Sequence, residues 1–393
     1  MTPAARVQAA IELLDDIAEA ARTAGPAADT LVARYFKSRR YAGSKDRRAV
    51  RELVYRAIRR TGERPVSGRA AMLGLTEEEP ALLALFDGSA HGPAPPAEGE
   101  ERAAASLAPP WLGPRFDPLV DDEELRALLG RAPLDLRVNR LKGSVSEARA
   151  LLPEAEPAPH SPIGLRLPEG TQATLSAAFR SGLVEVQDEA SQLVVLACGA
   201  APGATAVDLC AGAGGKTLAL AAEMEGRGRI LAADADRDRL GRMAPRLARA
   251  GVAIAEPRLI DPGRELEQLA NIRGKADLVL VDAPCSGTGT WRRNPEARWR
   301  LTPERLARFA DLQARLLDVG GALVKPGGRL VYAVCSLLSE EGRAQAEALG
   351  RRSGLVPEPV PIPAGRAAGT GLILTPAHDG TDGFFVARWR APC

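Results

Sequence analysis

Two cysteines stand where a thiol can do chemistry. Cys285 lies in Asp282-Ala283-Pro284-Cys285-Ser286-Gly287-Thr288-Gly289, just past the apolar run 278–281, and Cys335 lies in Tyr332-Ala333-Val334-Cys335-Ser336, past a second such run. A thiol at a strand end is exposed enough to react, and open α/β sheets bind ligands outside the carboxyl ends of their strands. Sulfur attacks as a soft anion and leaves again, so either thiol is a candidate for transient covalent catalysis. Asp282 adds a carboxyl group that could hydrogen-bond or protonate a substrate. Packing as a small hydrophobe accounts for Cys198 and could account for Cys210, but it does not suit Cys285 in Pro-Cys-Ser-Gly turn chemistry.

A second chemical stretch is Asp208-Leu209-Cys210-Ala211-Gly212-Ala213-Gly214-Gly215-Lys216-Thr217, which follows an expected strand and opens a helix. A Walker A loop would need glycine at position 210, where cysteine stands, and a G-x-G-x-x-G run from Gly212 ends on Thr217. What remains is a glycine loop that lets a ligand approach the backbone closely. Asp234 ends the next expected strand, where a carboxylate can accept both hydroxyls of a ribose, an arrangement that suits S-adenosylmethionine; a structural strand-end aspartate would look the same. Asp261 could accept from an adenine amino group or be a turn aspartate before Pro262. Lys216 and Lys325 are candidates for a cofactor carboxylate or phosphate, or ordinary solvated lysines.

These residues need elements to hold them. Strands are expected at 206–209, 229–233, 253–260, 277–281, 328–334 and 384–389, with helical patterns between most of them, and this alternation predicts a doubly wound parallel sheet. Ahead of it, strands at 134–139 and 164–167 and short helices at 121–129 and 146–152 predict a small α/β subdomain, with Arg137 and Asn139 on one face of its first strand. A helix is expected to begin within 185–195. Residues 1 to about 64 carry helical periodicity through Val7, Ile11, Leu14 and Ile17, then Val32, Tyr35 and Phe36, then Val50, Leu53, Val54 and Ile58. Between Arg34 and Arg60 the charge excess is nine positive, interleaved with tyrosines. This is either an arginine-rich solvated face or an RNA phosphate-binding module, with Arg39, Arg40, Arg47 and Arg48 the contacts. Trp291-Arg292-Arg293 and Arg298-Trp299-Arg300 likewise join aromatics to guanidiniums and could stack bases, or could form a structural loop. The Pro/Gly/Ala-rich residues 87–110 read as a linker.

The bulk numbers set bounds. A chain of 393 residues with 45% hydrophobic content can build two or three domains, and the net charge of +2 hides the uneven distribution. No apolar run approaches the roughly 20 residues that span a bilayer, and no signal-type core follows Met1, so a cytoplasmic location without membrane partners is expected. Five cysteines, none in a C-x-x-C pair, and three histidines argue against structural zinc or a disulfide framework; no metal is expected, and a monomer is.

Taken with Leu323-Val324-Lys325-Pro326-Gly327-Gly328 and Thr381-Asp382-Gly383-Phe384-Phe385, the two cysteine stretches and the glycine loop resemble the consecutive motifs of the Nol1/Nop2/Sun family of RNA cytosine-C5 methyltransferases, over about 130–393. The N-terminal part is similar to the NusB-like domain of bacterial members that modify 16S rRNA. The resemblance implies an all-α NusB-like domain at 1–86, a linker at 87–110, a small α/β RNA-binding subdomain at 111–182, and a class I, Rossmann-like methyltransferase domain at 183–393. It implies S-adenosylmethionine held by Cys210, Ala211, Gly212, Ala213, Gly214, Gly215, Lys216, Asp234, Asp261 and Asp282. RNA, in particular small-subunit rRNA, is the implied partner, with Arg137, Asn139, Arg292 and Arg293 as further contacts.

By the family pattern Cys335 is the nucleophile that adds to C6 of cytosine, Cys285 assists release of the methylated base, and Asp282 contacts the ring. DNA cytosine-C5 enzymes instead place the attacking thiol in a Pro-Cys dipeptide, which would make Cys285 the attacker. A tRNA substrate, or a weakly active ribosome-assembly scaffold, are the competing functions; a scaffold needs neither thiol. One departure stands out: the family's proline before the paired glycines is replaced by Gly212-Ala213, which loosens the loop by something of order 1 kcal/mol without removing a ligand group.

Overall fold

The computed structural model describes residues 1–23 and 25–393, which fall into two compact units. One comprises Met1–Phe116, Asp121–Gly130 and Thr290–Pro303; the other comprises Asp117–Val120, Arg131–Gly289 and Glu304–Cys393.

The first unit is helical: α1 (Pro3–Arg22), α2 (Ala28–Ser38), α3 (Ser44–Arg60) and α4 (Gly68–Leu75). Thr2 caps α1 by accepting from the Ala5 N–H, with Pro3 at the first helical position, where its missing N–H costs nothing. The residues at three- and four-residue steps, including Val7, Leu14, Ile17, Val50, Val54 and Ile58, form its core. Residues 87–110 are irregular but packed against these helices. The Ala103 N–H donates to the Ala70 carbonyl (2.9 Å) and the Ser106 N–H to that of Arg60 (3.0 Å), while Arg69 Nε bonds Glu100 (2.5 Å).

In the second unit, β1 (Leu134–Val138), β2 (Glu156–Pro157), β3 (Gly164–Leu167) and β4 (Val184–Val186) make an antiparallel sheet in the order β2-β3-β1-β4. The large sheet holds β5 (Thr205–Asp208), β6 (Arg229–Asp234), β7 (Ala255–Leu259), β8 (Ala276–Asp282), β9 (Val324–Val334), β10 (Val356–Glu358), β11 (Arg366–Ala368), β12 (Gly371–Leu374) and β13 (Phe384–Arg390). Its order is β11-β12-β13-β9-β8-β5-β6-β7, with β10 paired to β13.

β5 to β9 pair in parallel, as the helix-strand alternation predicts. The expectation of an all-parallel sheet fails beyond β9, where β13, β12, β11 and β10 run antiparallel. The short connections among these last strands leave no room for crossover helices. From β5 the chain builds one way through β6 and β7, then crosses to β8 and β9 on the other side. The order therefore reverses between β5 and β8, and a crevice opens there at the carboxyl ends. The helices Glu189–Cys198 and Gly215–Glu223 bury Val194, Leu218 and Ala221 against Ala232, Leu280 and Val331 of the sheet. The central strands β5, β6 and β8 are accordingly near-continuous apolar runs rather than alternating ones.

Candidate active site

The parallel register sets Asp282 opposite Ala333, and the chain leaves both strands within three residues of a thiol. Cys285 Sγ and Cys335 Sγ are 3.4 Å apart. The hydrogen bond to Cys335 and burial, with the neighbouring charges of Cys335 and Glu341, push the Cys285 thiol well above its ordinary pKa. Lys216 Nζ pairs with Asp282 Oδ2 at 2.7 Å. Burial opposes the Lys216 charge, but Asp282, Cys335 and Asp208 outweigh it, so its ammonium titrates above the usual lysine value.

The glycine loop bends as only glycine bends readily: Gly212 and Gly214 have φ of 54° and 85°. A Cβ on Gly214 would also lie 2.7 Å from Met243 Cγ. The Gly212 N–H donates to Asp234 Oδ2, and the Asp236 N–H to Asp234 Oδ1, both at 2.7 Å. Arg246 donates to the Ala213 carbonyl at 2.8 Å, holding the loop at the point where the family's proline is missing. Asp208, at the end of β5, is fully buried. Burial lifts its carboxyl to about pKa 7, against the hydroxyl of Thr217 that bonds it at 2.7 Å. Burial, with Asp282, Asp208 and Asp234 nearby, pushes Cys210 well up, so it stays a thiol.

The structure thus brings Cys285, Cys335, Asp282, Lys216, the glycine loop and Asp234 to the strand ends. Asp261 is exposed, its carboxylate bonded to Gln268 (2.8 Å). Lys325 pairs with Asp277 at the opposite end of β8 and β9, away from the thiols.

Three expected RNA contacts need correction. Arg137 and Asn139 are both 1% exposed. Arg137 bonds Gln187 (2.7 Å), and burial pulls it down to about 10; Asn139 ties the carbonyls of Gly182 and Ala250 (3.0 and 2.9 Å). Both faces of this strand are covered, since Leu136 and Val138 on the other side are fully buried too, and the alternation could not announce that neither side is wet. Arg292 is buried in a segment that belongs to the helical unit, whereas Arg293 beside it is only half-buried. Trp291 packs edge-on to Phe116, and Trp299 lies in the helical core with its indole N–H on the Thr61 carbonyl (2.8 Å). By contrast Arg40, Arg47 and Arg48 are exposed, and Arg39 stacks over the Tyr35 ring at 3.6 Å beside a cavity of about 1000 Å³ that Glu12, Tyr41 and His91 also line.

Glu341 and Gln313, both fully buried, were not legible as site residues. Glu340-Glu341 reads as a helix-start pair; only the fold turns the second carboxylate inward to Ser286 and Ser336. Among the described residues no cluster of His, Cys, Asp and Glu could hold a metal ion, and no helix is long and apolar enough to cross a membrane.

The profile of the family described as 16S rRNA methyltransferase RsmB/F matches residues 195–390. Ribosomal RNA small subunit methyltransferase B of Klebsiella pneumoniae is 36% identical over 299 residues, covering 74% of this chain and 68% of the relative. The crystal structure of the protein named PH0851 matches with a TM-score of 0.76 at 25% identity over 99% of each chain. A methyltransferase homologue from Pyrococcus horikoshii gives 0.61 at 29% identity, covering 68% of this chain and 90% of that one.

Proposed function

Since the chain belongs to the 16S rRNA methyltransferase RsmB/F family, within the Nol1/Nop2/Sun group, we propose that it methylates C5 of a cytosine in small-subunit rRNA through a covalent bond between Cys335 and C6. The observation that carries the reading is the pair of thiols 3.4 Å apart beside an Asp282–Lys216 ion pair.

The strand ends suit S-adenosylmethionine. Asp234 and Asp282 bring carboxyl groups to the crevice, which favours a cationic ligand, and the bends at Gly212 and Gly214 open the backbone to it. The glycine loop, Lys216, Asp234 and Asp282 would hold it, with Asp261 at the rim. Once bound it supplies an electrophilic methyl group.

C5 of cytosine is a poor nucleophile until C6 is attacked. Cys335 attacks as a thiolate, its own proton passing to solvent, while Cys285, whose thiol is pushed well up, stays protonated and donates to the Cys335 sulfur 3.4 Å away. A lone pair of Cys335 forms the S–C6 bond, and the C5=C6 electrons become available at C5 for the methyl group. Lys216 holds one oxygen of Asp282, leaving the other to accept from the exocyclic amino group of the base, or from N3 once that nitrogen is protonated. On release the C5 proton passes to solvent water, the C5–H electron pair restores C5=C6, and the C6–S pair returns to Cys335, a step that Cys285 assists.

The helical unit, read as NusB-like, presents Arg40, Arg47 and Arg48 to the rRNA phosphates, with Arg39 beside them. The protein works as a cytoplasmic monomer without a metal. The decisive experiment replaces each thiol singly and looks for RNA-protein adducts. Cys285→Ala should trap adduct and Cys335→Ala should abolish it; adduct with Cys335→Ala would overturn the assignment. Bisulfite sequencing of RNA from a deletion strain separates rRNA from tRNA as the target.

A further inference from the structure

Each reactive cysteine is followed by a serine, and both serines end on one buried carboxylate. Glu341 Oε1 accepts the Ser286 N–H (2.8 Å) and Gln313 Nε2 (3.0 Å). Glu341 Oε2 accepts the Ser286 hydroxyl and the Ser336 hydroxyl, the latter at 2.5 Å. Gln313 also donates to the carbonyl of Pro284, the residue before Cys285 (3.0 Å). The Tyr332 hydroxyl donates to the backbone carbonyl of Glu341 at 2.6 Å, so the residue is held by its main chain as well.

A fully buried carboxylate is costly unless it is satisfied, and this one accepts four donors. Three of those four come from the residues next to the thiols. Thr288 Oγ1 closes the arrangement: it lies 3.2 Å from Ser336 Oγ and accepts the Leu337 N–H at 2.8 Å. The loops that carry Cys285 and Cys335 leave different strands and are 50 residues apart in sequence. Backbone pairing fixes where those loops begin; the Gly289 N–H on the Cys335 carbonyl (3.1 Å) and the Ser286–Ser336 hydroxyl contact (3.1 Å) also join them, and the carboxylate adds one shared anchor a single residue from each thiol. Burial leaves Glu341 without access to a substrate, so its influence must pass through the thiols.

We propose that Glu341 is a positioning residue for the methyl-transfer reaction, setting the separation of Cys285 and Cys335 by holding Ser286 and Ser336 on a single carboxylate. The proposal rests on the two-thiol reading above. Displacement of a reacting group by about 1 Å can cost on the order of 100-fold in rate, so small slack between the loops is enough to matter.

The test uses the full-length protein with Glu341→Gln and, as a milder second variant that leaves the carboxylate in place, Ser286→Ala/Ser336→Ala. Thiol separation is read without RNA, as the rate at which diamide oxidises the two thiols to a Cys285–Cys335 disulfide, followed by peptide mass spectrometry. Catalysis is read as kcat and KM for an rRNA fragment, with cofactor affinity by calorimetry. Both variants should slow cross-linking and kcat together by about tenfold or more, with KM and cofactor affinity within about twofold of the parent. Glu341→Asp, which keeps the charge but cannot reach both serines, should recover only part of the loss. A folded variant of either kind that keeps its cross-linking rate, or that loses cross-linking but not kcat, overturns the proposal. The cross-linking arm does not depend on which thiol attacks RNA, so it stands if the adduct experiment reassigns the nucleophile.

Discussion

Gly289→Ala offers a sharp probe of how the two cysteine loops are held. Gly289 donates its N–H to the Cys335 carbonyl (3.1 Å) and accepts the Gly383 N–H (2.8 Å), so the Cys285 loop, the Cys335 loop and the Thr381-Asp382-Gly383 turn cross at one point. A Cβ on Gly289 would lie 2.0 Å from the Gly383 carbonyl oxygen and 2.8 Å from its Cα, both backbone atoms that cannot rotate away. To reach ordinary contact at 3.4 Å the two segments must part by about 1.4 Å. Overpacking of this kind costs about 1–3 kcal/mol in stability, which a protein of this size survives. The kinetic cost is larger, on the order of 100-fold in kcat, because the shift falls four residues from Cys285 and on the carbonyl of Cys335 itself. Cofactor affinity should hold, since the glycine loop leaves a different strand. Methyl transfer to an rRNA fragment, cofactor calorimetry and thermal unfolding measure the three effects. Gly350→Ala, with nothing within 4 Å of its Cβ, is the matched control and should leave activity unchanged. A folded Gly289→Ala protein with kcat within about twofold of the parent would refute the reasoning.

Two further outcomes concern stability. Asp208 titrates at about 7 when folded, above the ordinary carboxyl value of about 4, so the folded state binds the extra proton between those limits. Its contribution is fully present below about pH 4 and is lost as pH rises through 7; Asp208→Asn should remove this dependence, and parallel urea midpoint curves for the two proteins across that range would contradict it. Arg298 is buried, pulled down to about 9 by burial and by the charge of Arg59, and its guanidinium serves the carbonyls of Pro295, Leu107, Ile58 and Arg59. Arg298→Ala should destabilise the helical unit by about 2–4 kcal/mol and Arg298→Lys by less, because a lysine lacks the fork; a denaturant midpoint unmoved by the alanine would argue against this role.

The sequence alone placed its candidate reactive residues at strand ends, and the structure puts them there. Apolar runs at 278–281 and 328–334 mark those ends whatever the surrounding packing does. Cys285, Cys335, Asp282, Asp234 and the glycine loop were legible for that reason, as were the five strands of the parallel half of the sheet.

Burial was not legible, because an arginine or tryptophan in an irregular segment looks the same in the sequence whether it meets a base or a backbone carbonyl. Trp291, Trp299 and Arg298 therefore read as a nucleic-acid surface and turned out to be part of the helical unit's interior. Arg137 and Asn139 were misread for a related cause: alternation gives a strand two faces but does not say that both are covered, as they are here. The joint control of both thiols by Glu341 could not be read at all. Hydrogen bonds that converge from residues 286, 313 and 336 exist only after the chain has closed, and no local spacing records them. The sequence determined which atoms could react; tertiary structure decided how far apart they stand, since distance between strand ends is set by packing and by shared buried partners.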